Sequence, residues 1–281
     1  MVKDIFTLVE DTQELFEGHK FSDALGKFSE DLGKAFAIRF NEYAEERKPT
    51  LRLSNYGKPL RQLYYELNNF PKEKLSASTK FKFLFGTILE ELLLLLAAEA
   101  GHTVTDMQRE VVVDGVVGHI DAVIDGVLVD VKSASTYSFN KFKSGGIRLD
   151  GGDPFGYIPQ LAAYSHGLGG MDGAFLVVDK TLGHIHLEKF SRKELESYNP
   201  SRKIADVRFA LEQKEAPERC YELEPEGKSG NMKLSVGCSY CAFKKECWKD
   251  ANDGQGLKEY IYARGPVWLA KVVKEPRVDA A

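Results

Sequence analysis

Apolar residues recur along the first part of the chain with the spacing of helices. Residues 1–48 are predicted to form two helices, and residues 54–68 a turn followed by a short aromatic helix. Residues 79–100 are apolar almost all round, which is typical of a helix at the centre of a fold. Glu90 and Glu91 interrupt this apolar surface, and a buried carboxylate needs a partner or a metal ion.

A series of β-branched runs follows the long helix. Asp114-Gly115 and Asp125-Gly126 punctuate these runs, and Asp-Gly pairs between apolar segments favour tight hairpins. The pattern predicts a meander of three strands, at about 109–113, 116–124 and 127–133.

The remaining pattern completes a mixed α/β core. Residues 135–152 are predicted to be a loop, 154–168 a helix, 173–190 a pair of strands and 192–198 a helix. The predicted order from the long helix onwards is therefore α-β-β-β-α-β-β, followed by a tail that contains all the cysteines.

The composition narrows the class of protein without indicating a function. The 281 residues carry 38 Lys and Arg against 42 Asp and Glu, a net charge of −4, which gives no global indication of nucleic-acid binding. Four Cys are too few for a secreted disulfide scaffold. No stretch reaches the roughly 18 apolar residues of a membrane span, and the first residues are acidic where a signal peptide is basic and apolar. We therefore expect a cytoplasmic protein with no membrane partner.

Two carboxylates and a lysine are predicted to meet on the meander. Asp130 and Lys132 are two residues apart on one strand, so their side chains share a face, and the second Asp-Gly turn places Asp121 close to opposite Asp130. With Glu90 or Glu91 nearby, the set suits metal-assisted phosphodiester hydrolysis, because carboxylates hold Mg²⁺. Lys132 would position or deprotonate the attacking water, or stabilise the transition state as a fixed cation. The alternative is an ordinary ion pair on an exposed strand.

The order of these residues resembles the PD-(D/E)xK nuclease superfamily, and its RecB-like exonuclease branch in particular. Four motifs within residues 79–168 carry the resemblance. They are Gly86-Thr-Ile-Leu-Glu90, Ile120-Asp121 with Ile in place of the family's Pro, Asp130-Val-Lys132, and Gln160-Leu-Ala-Ala-Tyr164.

The resemblance implies a restriction-endonuclease-like αβββαβ core with a mixed sheet, flanked by N-terminal helices and a C-terminal Cys segment. It favours Glu90 over Glu91 as the ligand from the long helix. The residues that it implies for Mg²⁺ or Mn²⁺ are Glu90, Asp121, Asp130 and the backbone carbonyl of Val131. It implies that Lys132 serves the attacking water and that Gln160 and Tyr164 position the substrate strand. His119 neighbours this set, and its role is open.

The cysteines form a second candidate site. Cys238, Cys241 and Cys247 have the spacing Cys-x2-Cys-x5-Cys, and Cys220 lies upstream. Four thiolates can hold a tetrahedral Zn²⁺ or a [4Fe–4S] cluster, and the alternative is four free thiols.

The Cys tail looks like the C-terminal motif of iron–sulfur nucleases of the CRISPR-adaptation and AddB types. Those proteins take a fourth Cys from a segment nearer the N-terminus, whereas the similar stretch here, Ser54 to Arg61, has no Cys. Cys220 would have to substitute for it. The motif slightly favours an iron–sulfur cluster over zinc at these cysteines, and either group would have a structural role.

A basic segment between Lys132 and Leu149 suggests where DNA would bind. It has no acidic residue and interleaves cations with aromatic side chains that could stack on unpaired bases. Its members are Lys132, Tyr137, Phe139, Lys141, Lys143 and Arg148. Backbone contacts of this kind would bind DNA independently of its sequence. The alternative is a solvated flexible loop.

The leading interpretation is a metal-dependent DNA exonuclease that leaves 5′-phosphates and acts in DNA recombination, repair or processing. The alternatives are a structure-selective endonuclease and a non-catalytic DNA-binding subunit that retains the fold. The resemblance to RecB-like and phage recombination nucleases suggests a helicase or recombination protein as partner and a bacterial or phage-infected cell. No interface signature indicates an oligomeric state. The predicted organisation is an N-terminal helical region (1–75), the nuclease core (76–200) and a Cys-cluster region (201–281).

Overall fold

The computed structural model describes residues 3–22, 24–44, 48–149, 151–263 and 265–278. The chain divides into two compact units. The first comprises Met1–Gly57 and Leu75–Ile204, and the second comprises Lys58–Lys74 and Ala205–Ala281. The three segments expected from the sequence stay a prediction, and the structure adds that residues 58–74 group with the C-terminal residues.

The helices and strands are numbered here in chain order. The helices are α1 (Leu8–Glu14), α2 (Ala24–Ala44), α3 (Leu60–Leu67), α4 (Ala77–Glu99), α5 (Thr136–Lys143), α6 (Tyr157–Gly167), α7 (Arg192–Glu196), α8 (Pro200–Glu212), α9 (Val236–Ser239), α10 (Lys244–Cys247) and α11 (Ala251–Gly254). The strands are β1 (Val104–Thr105), β2 (Glu110–Val113), β3 (Val116–His119), β4 (Ala122–Ile124), β5 (Val127–Ala134), β6 (Gly173–Asp179), β7 (Ile185–Phe190), β8 (Glu224–Glu226), β9 (Asn231–Lys233), β10 (Lys258–Tyr262) and β11 (Gly265–Lys271). None of the helices in the described part of the chain is long and apolar enough to cross a membrane.

A five-stranded mixed sheet forms the centre of the first unit. Its strand order is β1-β4-β5-β6-β7, with β5 and β6 parallel and the other neighbours antiparallel. The predicted fold class, a mixed α/β core with a mixed sheet and N-terminal helices, is confirmed. The arrangement is consistent with a restriction-endonuclease-like core.

Two apolar layers enclose this sheet, because β5 and β6 alternate their side chains between its faces. Val129 and Val131 pack with leucines of α1 and α4 on one face. Leu128 of β5 and Phe175 of β6 pack with α5 and α6 on the other. The α4 helix begins at Ser76, whose hydroxyl accepts a hydrogen bond from the backbone N–H of Thr79 as an N-cap.

The predicted meander is only partly correct. Its middle strand, expected to run from 116 to 124, breaks into β3 and β4 around Asp121. The first hairpin, β2–β3, forms a separate two-stranded sheet, and β1 pairs with β4 in the main sheet. The break leaves Asp121 between two strands.

The predicted loop at 135–152 is wrong in its first half. Ser135 caps a helix, α5, through its side chain and the backbone N–H of Ser138, and Phe139 and Phe142 of α5 are buried in the core of the first unit. The eight residues of α5 contain three aromatic and five polar or basic side chains, a periodicity too weak to distinguish a short helix from a loop.

The second unit has a sheet of its own. Its strand order is β10-β11-β9-β8 with every neighbour antiparallel. Trp248 and Trp268 lie in one apolar cluster of this unit, and Tyr64, Tyr65 and Phe243 form another. The cysteines lie among these aromatic side chains.

Candidate active site

The register of β4 and β5 brings Asp121 and Asp130 together. Ala122 pairs with Val129 in this antiparallel ladder, so the residue before Ala122 faces the residue after Val129. Asp121 Oδ2 accepts a hydrogen bond of 2.7 Å from the backbone N–H of Val131. Just before β4 begins, the Asp121 carboxylate thus accepts the hydrogen bond that a backbone carbonyl of a neighbouring strand would otherwise accept from Val131.

Asp121 lies in an environment that disfavours its charge. Burial raises its pKa well above the usual range, and the negative charges of Asp130 and Glu90 raise it further. The hydrogen bond from Val131 and the positive charge of Lys132 act in the opposite direction but are weaker. Three carboxylates from three different elements therefore share one electrostatic environment.

Glu90 reaches this environment from the middle of α4. Burial raises its pKa to about 7, with further contributions from Glu91 and Asp130. Its Oε1 accepts a hydrogen bond of 2.8 Å from the side-chain amide of Gln108. The pKa of the neighbouring Glu91 is raised by burial and by the charge of Asp31 on α2. The two glutamates are therefore influenced by different aspartates. Of the two glutamates, Glu90 is the one whose pKa is raised by the charge of Asp130.

Lys132 supplies the positive charge of the cluster. Its ammonium forms an ion pair with Asp130 Oδ2 and lies 4.9 Å from the ring centroid of Tyr157. Burial by itself would lower the pKa of Lys132, but Asp130 and Asp121 outweigh burial and raise it. This arrangement favours a fixed cation over a group that accepts a proton from water.

Gln160 and Tyr164 lie on the helix that covers the Asp130 face of the sheet. Gln160 Nε2 lies 3.5 Å from Asp130 Oδ1, at the limit of a hydrogen bond. Tyr164 is 2% exposed, and burial raises the pKa of its hydroxyl. Gln160 therefore borders the cluster directly, and the buried Tyr164 packs behind it.

The close packing of Tyr164 also explains why residue 118 is a glycine. A side chain at Gly118 would lie 2.7 Å from Tyr164 Cε1 and 2.6 Å from Leu53 Cβ. Only glycine lets β3 approach α6 so closely.

His119 points away from the carboxylates. Its partner across the β2–β3 ladder is Glu110, and its Nε2 lies 3.8 Å from the Glu110 carboxylate, with both side chains more than half exposed. The geometry gives it no contact with the cluster.

Sequence reasoning missed three residues around the cluster. Tyr157 flanks Lys132, Asp153 accepts hydrogen bonds from the backbone N–H groups of Tyr157 and Ile158 at the start of α6, and Gln108 contacts Glu90. Asp153 could have been predicted from the sequence, because an Asp just before a helix is a common helix-start pattern. The other two contacts join residues 25 and 18 positions apart and have no local pattern.

The basic segment after Lys132 is not the open loop that the sequence suggests. Phe139 is 3% exposed and belongs to the core, so it cannot stack on a base. Arg148 forms ion pairs with Glu188 and Glu194. Tyr137 is 72% exposed, and Lys141 Nζ lies 5.3 Å from its ring centroid. Tyr137 is therefore the exposed aromatic member of the segment.

The carboxylate cluster suits a divalent cation in its donors and charge. It offers hard oxygen ligands and an excess of negative charge, with three carboxylates near one lysine. Burial, and after it the repulsion among the carboxylates, raises the pKa of Glu90 and Asp121, and a bound cation would offset that repulsion. Within the described ranges, however, no three His, Cys, Asp or Glu side chains already lie close enough to form a metal-binding group. Lys132 instead forms an ion pair with Asp130, so binding of a cation requires this ion pair to open.

The four cysteines line one small cavity in the second unit. Burial raises the pKa of the Cys220 thiol, and hydrogen bonding to the backbone of Gln62 and Arg61 acts in the opposite direction. Arg61 Nε lies 3.2 Å from the sulfur of Cys247. Burial raises the pKa of Cys241 to about 11, with contributions from the other three thiols. All four are free cysteines, and Cys220 lies beside the Arg61 segment in which the resemblance expects a fourth cysteine.

Comparisons with known proteins give likenesses of structure alone. No protein-family model and no curated protein matches the chain. Among solved structures, SSO0001 is 15% identical, covering 78% of this chain and 95% of its own, with a TM-score of 0.42. LHK-Exo in complex with dAMP is 18% identical, covering 64% and 94%, with a TM-score of 0.40. An alkaline exonuclease (LHK-Exo) from Laribacter hongkongensis is 16% identical, covering 56% and 91%, with a TM-score of 0.33. Likenesses this distant decide nothing about activity, which depends on the residues of this chain.

Proposed function

We propose that this protein is a metal-dependent DNA exonuclease that hydrolyses phosphodiester bonds to leave 5′-phosphates. The observation that supports it most is the meeting of Glu90, Asp121, Asp130 and Lys132 in one largely buried cluster. Asp130 is buried and Glu90 and Asp121 are partly buried, and keeping three such carboxylates close together has a cost in stability that the packing of the fold does not require. A site for a cation accounts for all three.

The role of each residue in the cluster follows from the chemistry of its side chain or backbone oxygen. Glu90, Asp121 and Asp130, with the backbone carbonyl of Val131, would hold one or two Mg²⁺ or Mn²⁺. When bound, the metal activates a water and neutralises charge on the scissile phosphate. Lys132 adds a fixed positive charge where negative charge develops in the transition state.

The neighbouring residues orient the substrate strand. Gln160 borders Asp130 and can donate to a phosphate or sugar oxygen, while Tyr164 supports Gln160 from within the core. Tyr137 and Lys141 on α5 offer an aromatic ring and an ammonium to a DNA backbone and its unpaired bases. Contacts of this kind do not read base edges, so binding is expected to be independent of sequence.

For the second unit, we propose that Cys220, Cys238, Cys241 and Cys247 hold a [4Fe–4S] cluster or Zn²⁺. The shared cavity and the backbone N–H groups directed at Cys220 support a site for thiolates, because hydrogen bonds to sulfur stabilise them.

A cleavage assay on two substrates tests the activity. End-labelled linear duplex and a covalently closed circle are incubated with Mg²⁺, with Asp130→Ala as the inactive variant and Glu110→Ala, an exposed carboxylate outside the cluster, as its matched control. We expect loss of the linear DNA alone, with Glu110→Ala active and Asp130→Ala inactive. The order in which label is released gives the polarity.

Two other results would replace the proposal. Cutting of both substrates would indicate an endonuclease with the same chemistry. No cleavage of either, nor of single strands with Mn²⁺, would indicate a DNA-binding subunit that has kept the nuclease fold.

A further inference from the structure

A short segment between β1 and β2 contacts the carboxylate of Glu90 and the backbone of Asp121 at once. The backbone N–H of Gln108 donates to the carbonyl oxygen of Asp121 at 3.2 Å. The side-chain amide of the same residue donates to Glu90 Oε1 at 2.8 Å. One residue therefore connects α4 with the break between β3 and β4, two places that are distant in sequence.

The backbone at this point is in an uncommon conformation. Gln108 has a φ of 54° and Asp106 a φ of 53°, in the left-handed region that residues with a Cβ rarely adopt. Neither residue is glycine, and glutamine adopts this φ less readily than asparagine does. A residue keeps such a costly conformation where the surrounding structure imposes it. The hydrogen bond to Asp121 fixes the backbone of Gln108, and this conformation directs its side chain at Glu90.

The chemistry of the contact allows one orientation of the amide. A carboxylate accepts hydrogen bonds and does not donate them, so the nitrogen of Gln108 must face Glu90. The amide neutralises no charge, and it occupies Oε1 while leaving the carboxylate its second oxygen. Groups that hold a ligand in this way orient it and set its affinity for a metal.

We propose that Gln108 is a positioning residue that holds Glu90 against Asp121 for binding of the divalent cation. The inference rests on the proposed function, because it gives Glu90 and Asp121 the role of ligands. Loss of the Gln108 amide is expected to weaken metal binding without unfolding the first unit. Losses of about 10- to 100-fold in affinity are typical when such an orienting partner is removed.

The experiment measures Mn²⁺ binding by titration calorimetry on the whole chain in the absence of DNA, with a thermal melt of each variant. Gln108→Met keeps the length of the side chain and the strained backbone but removes the donor. Gln108→Gly removes the donor and relieves the strain. Asp106→Gly, at the same φ two residues away, relieves strain without touching Glu90 and is the matched control.

We expect both Gln108 variants to bind Mn²⁺ at least 10-fold more weakly, with melting temperatures close to that of the unmodified chain, while Asp106→Gly binds normally. In a Glu90→Gln background, Gln108→Met should cause no further loss, because the amide acts through Glu90.

Two outcomes would overturn the inference, and they are distinguishable. Normal or tighter Mn²⁺ binding by both Gln108 variants would show that the amide does not support the site. Failure of the unmodified chain to bind Mn²⁺ would refute the proposed function and the role of Gln108 with it.

Discussion

Single residues in the carboxylate cluster owe their charge states to burial and to one another. Asp121 and Glu90 are made harder to ionise by the same surroundings that keep Lys132 protonated. The result is a site in which the protein's own cation partly compensates an excess of negative charge. Clusters of carboxylates with perturbed pKa values are typical of functional sites, because packing alone gives no reason to keep such an excess of charge.

Replacing Lys132 separates binding from catalysis. Lys132→Ala should bind DNA nearly as well as the unmodified chain but cleave it at least about 100-fold more slowly, because a fixed charge aimed at the transition state is lost. Cleavage of labelled DNA and a filter-binding assay in Ca²⁺ measure the two properties. Lys193→Ala, an exposed lysine on α7 outside the basic segment, is the control. Normal cleavage by Lys132→Ala would show that the assigned mechanism is wrong.

The raised pKa of Glu90 predicts a dependence of stability on pH. The folded-state pKa is about 7 against an ordinary value of 4.5, so the folded protein holds this proton more tightly than the unfolded chain does. In EDTA, the contribution of Glu90 is neutral below pH 4.5 and becomes increasingly destabilising as the pH rises through 7. At 1.36 kcal/mol per pKa unit, the penalty reaches about 3 kcal/mol.

Glu90→Gln removes this penalty. In EDTA at pH 8 the variant should resist urea more strongly than the unmodified chain by up to about 3 kcal/mol, and the difference should vanish near pH 4. Glu110→Gln, with an exposed side chain, should show neither effect. A Glu90→Gln variant less stable than the unmodified chain at pH 8 would mean that the carboxylate is not held in a repulsive environment.

At the scale of helices and strands, the active-site geometry depends on how closely elements approach. Gly118 on β3 leaves room for Tyr164 of α6 and Leu53. Gly118→Ala should therefore destabilise the first unit by about 1–3 kcal/mol, as overpacking does in a close-packed core. It should also lower cleavage by displacing Tyr164 and the adjoining Gln160.

Urea unfolding and cleavage rates test the Gly118 prediction together. Gly33→Ala is the matched control, because a methyl group at that position in α2 meets nothing within 4 Å and should stabilise the helix slightly. Equal stability of Gly118→Ala and Gly33→Ala would show that β3 and α6 can separate at little cost.

The elements also show where the sequence was informative. The predicted pairing of Asp121 with Asp130 agrees with the observed register, because an Asp-Gly turn and the two-residue period of a strand are local rules. The break at Asp121, the pairing of β1 with β4 and the contact of Gln108 with Glu90 depend on which distant segments meet. No local period encodes such contacts, so they became visible only in the folded chain.

At the scale of the whole molecule, the two units present two kinds of donor. Carboxylate oxygens cluster in the first unit, and thiols cluster in the second. Hard cations such as Mg²⁺ take oxygen ligands, whereas iron and zinc take thiolates. Under the proposed function, the two units would therefore take different metals without competition between the two sites.

The sharpest test at this scale is removal of one thiol. Cys220→Ser should lose most of the bound metal and lower the melting temperature, because Cys220 completes a set of four ligands and metal binding contributes directly to folding. Iron, acid-labile sulfide and zinc are measured on anaerobically purified protein, and Ser239→Ala, between two of the cysteines, is the control. About four iron and four sulfide per chain would identify a [4Fe–4S] cluster, and zinc alone would identify a tetrahedral site. Unmodified protein that holds neither metal would mean that the cysteines are free thiols, and the exonuclease proposal for the first unit would stand unchanged.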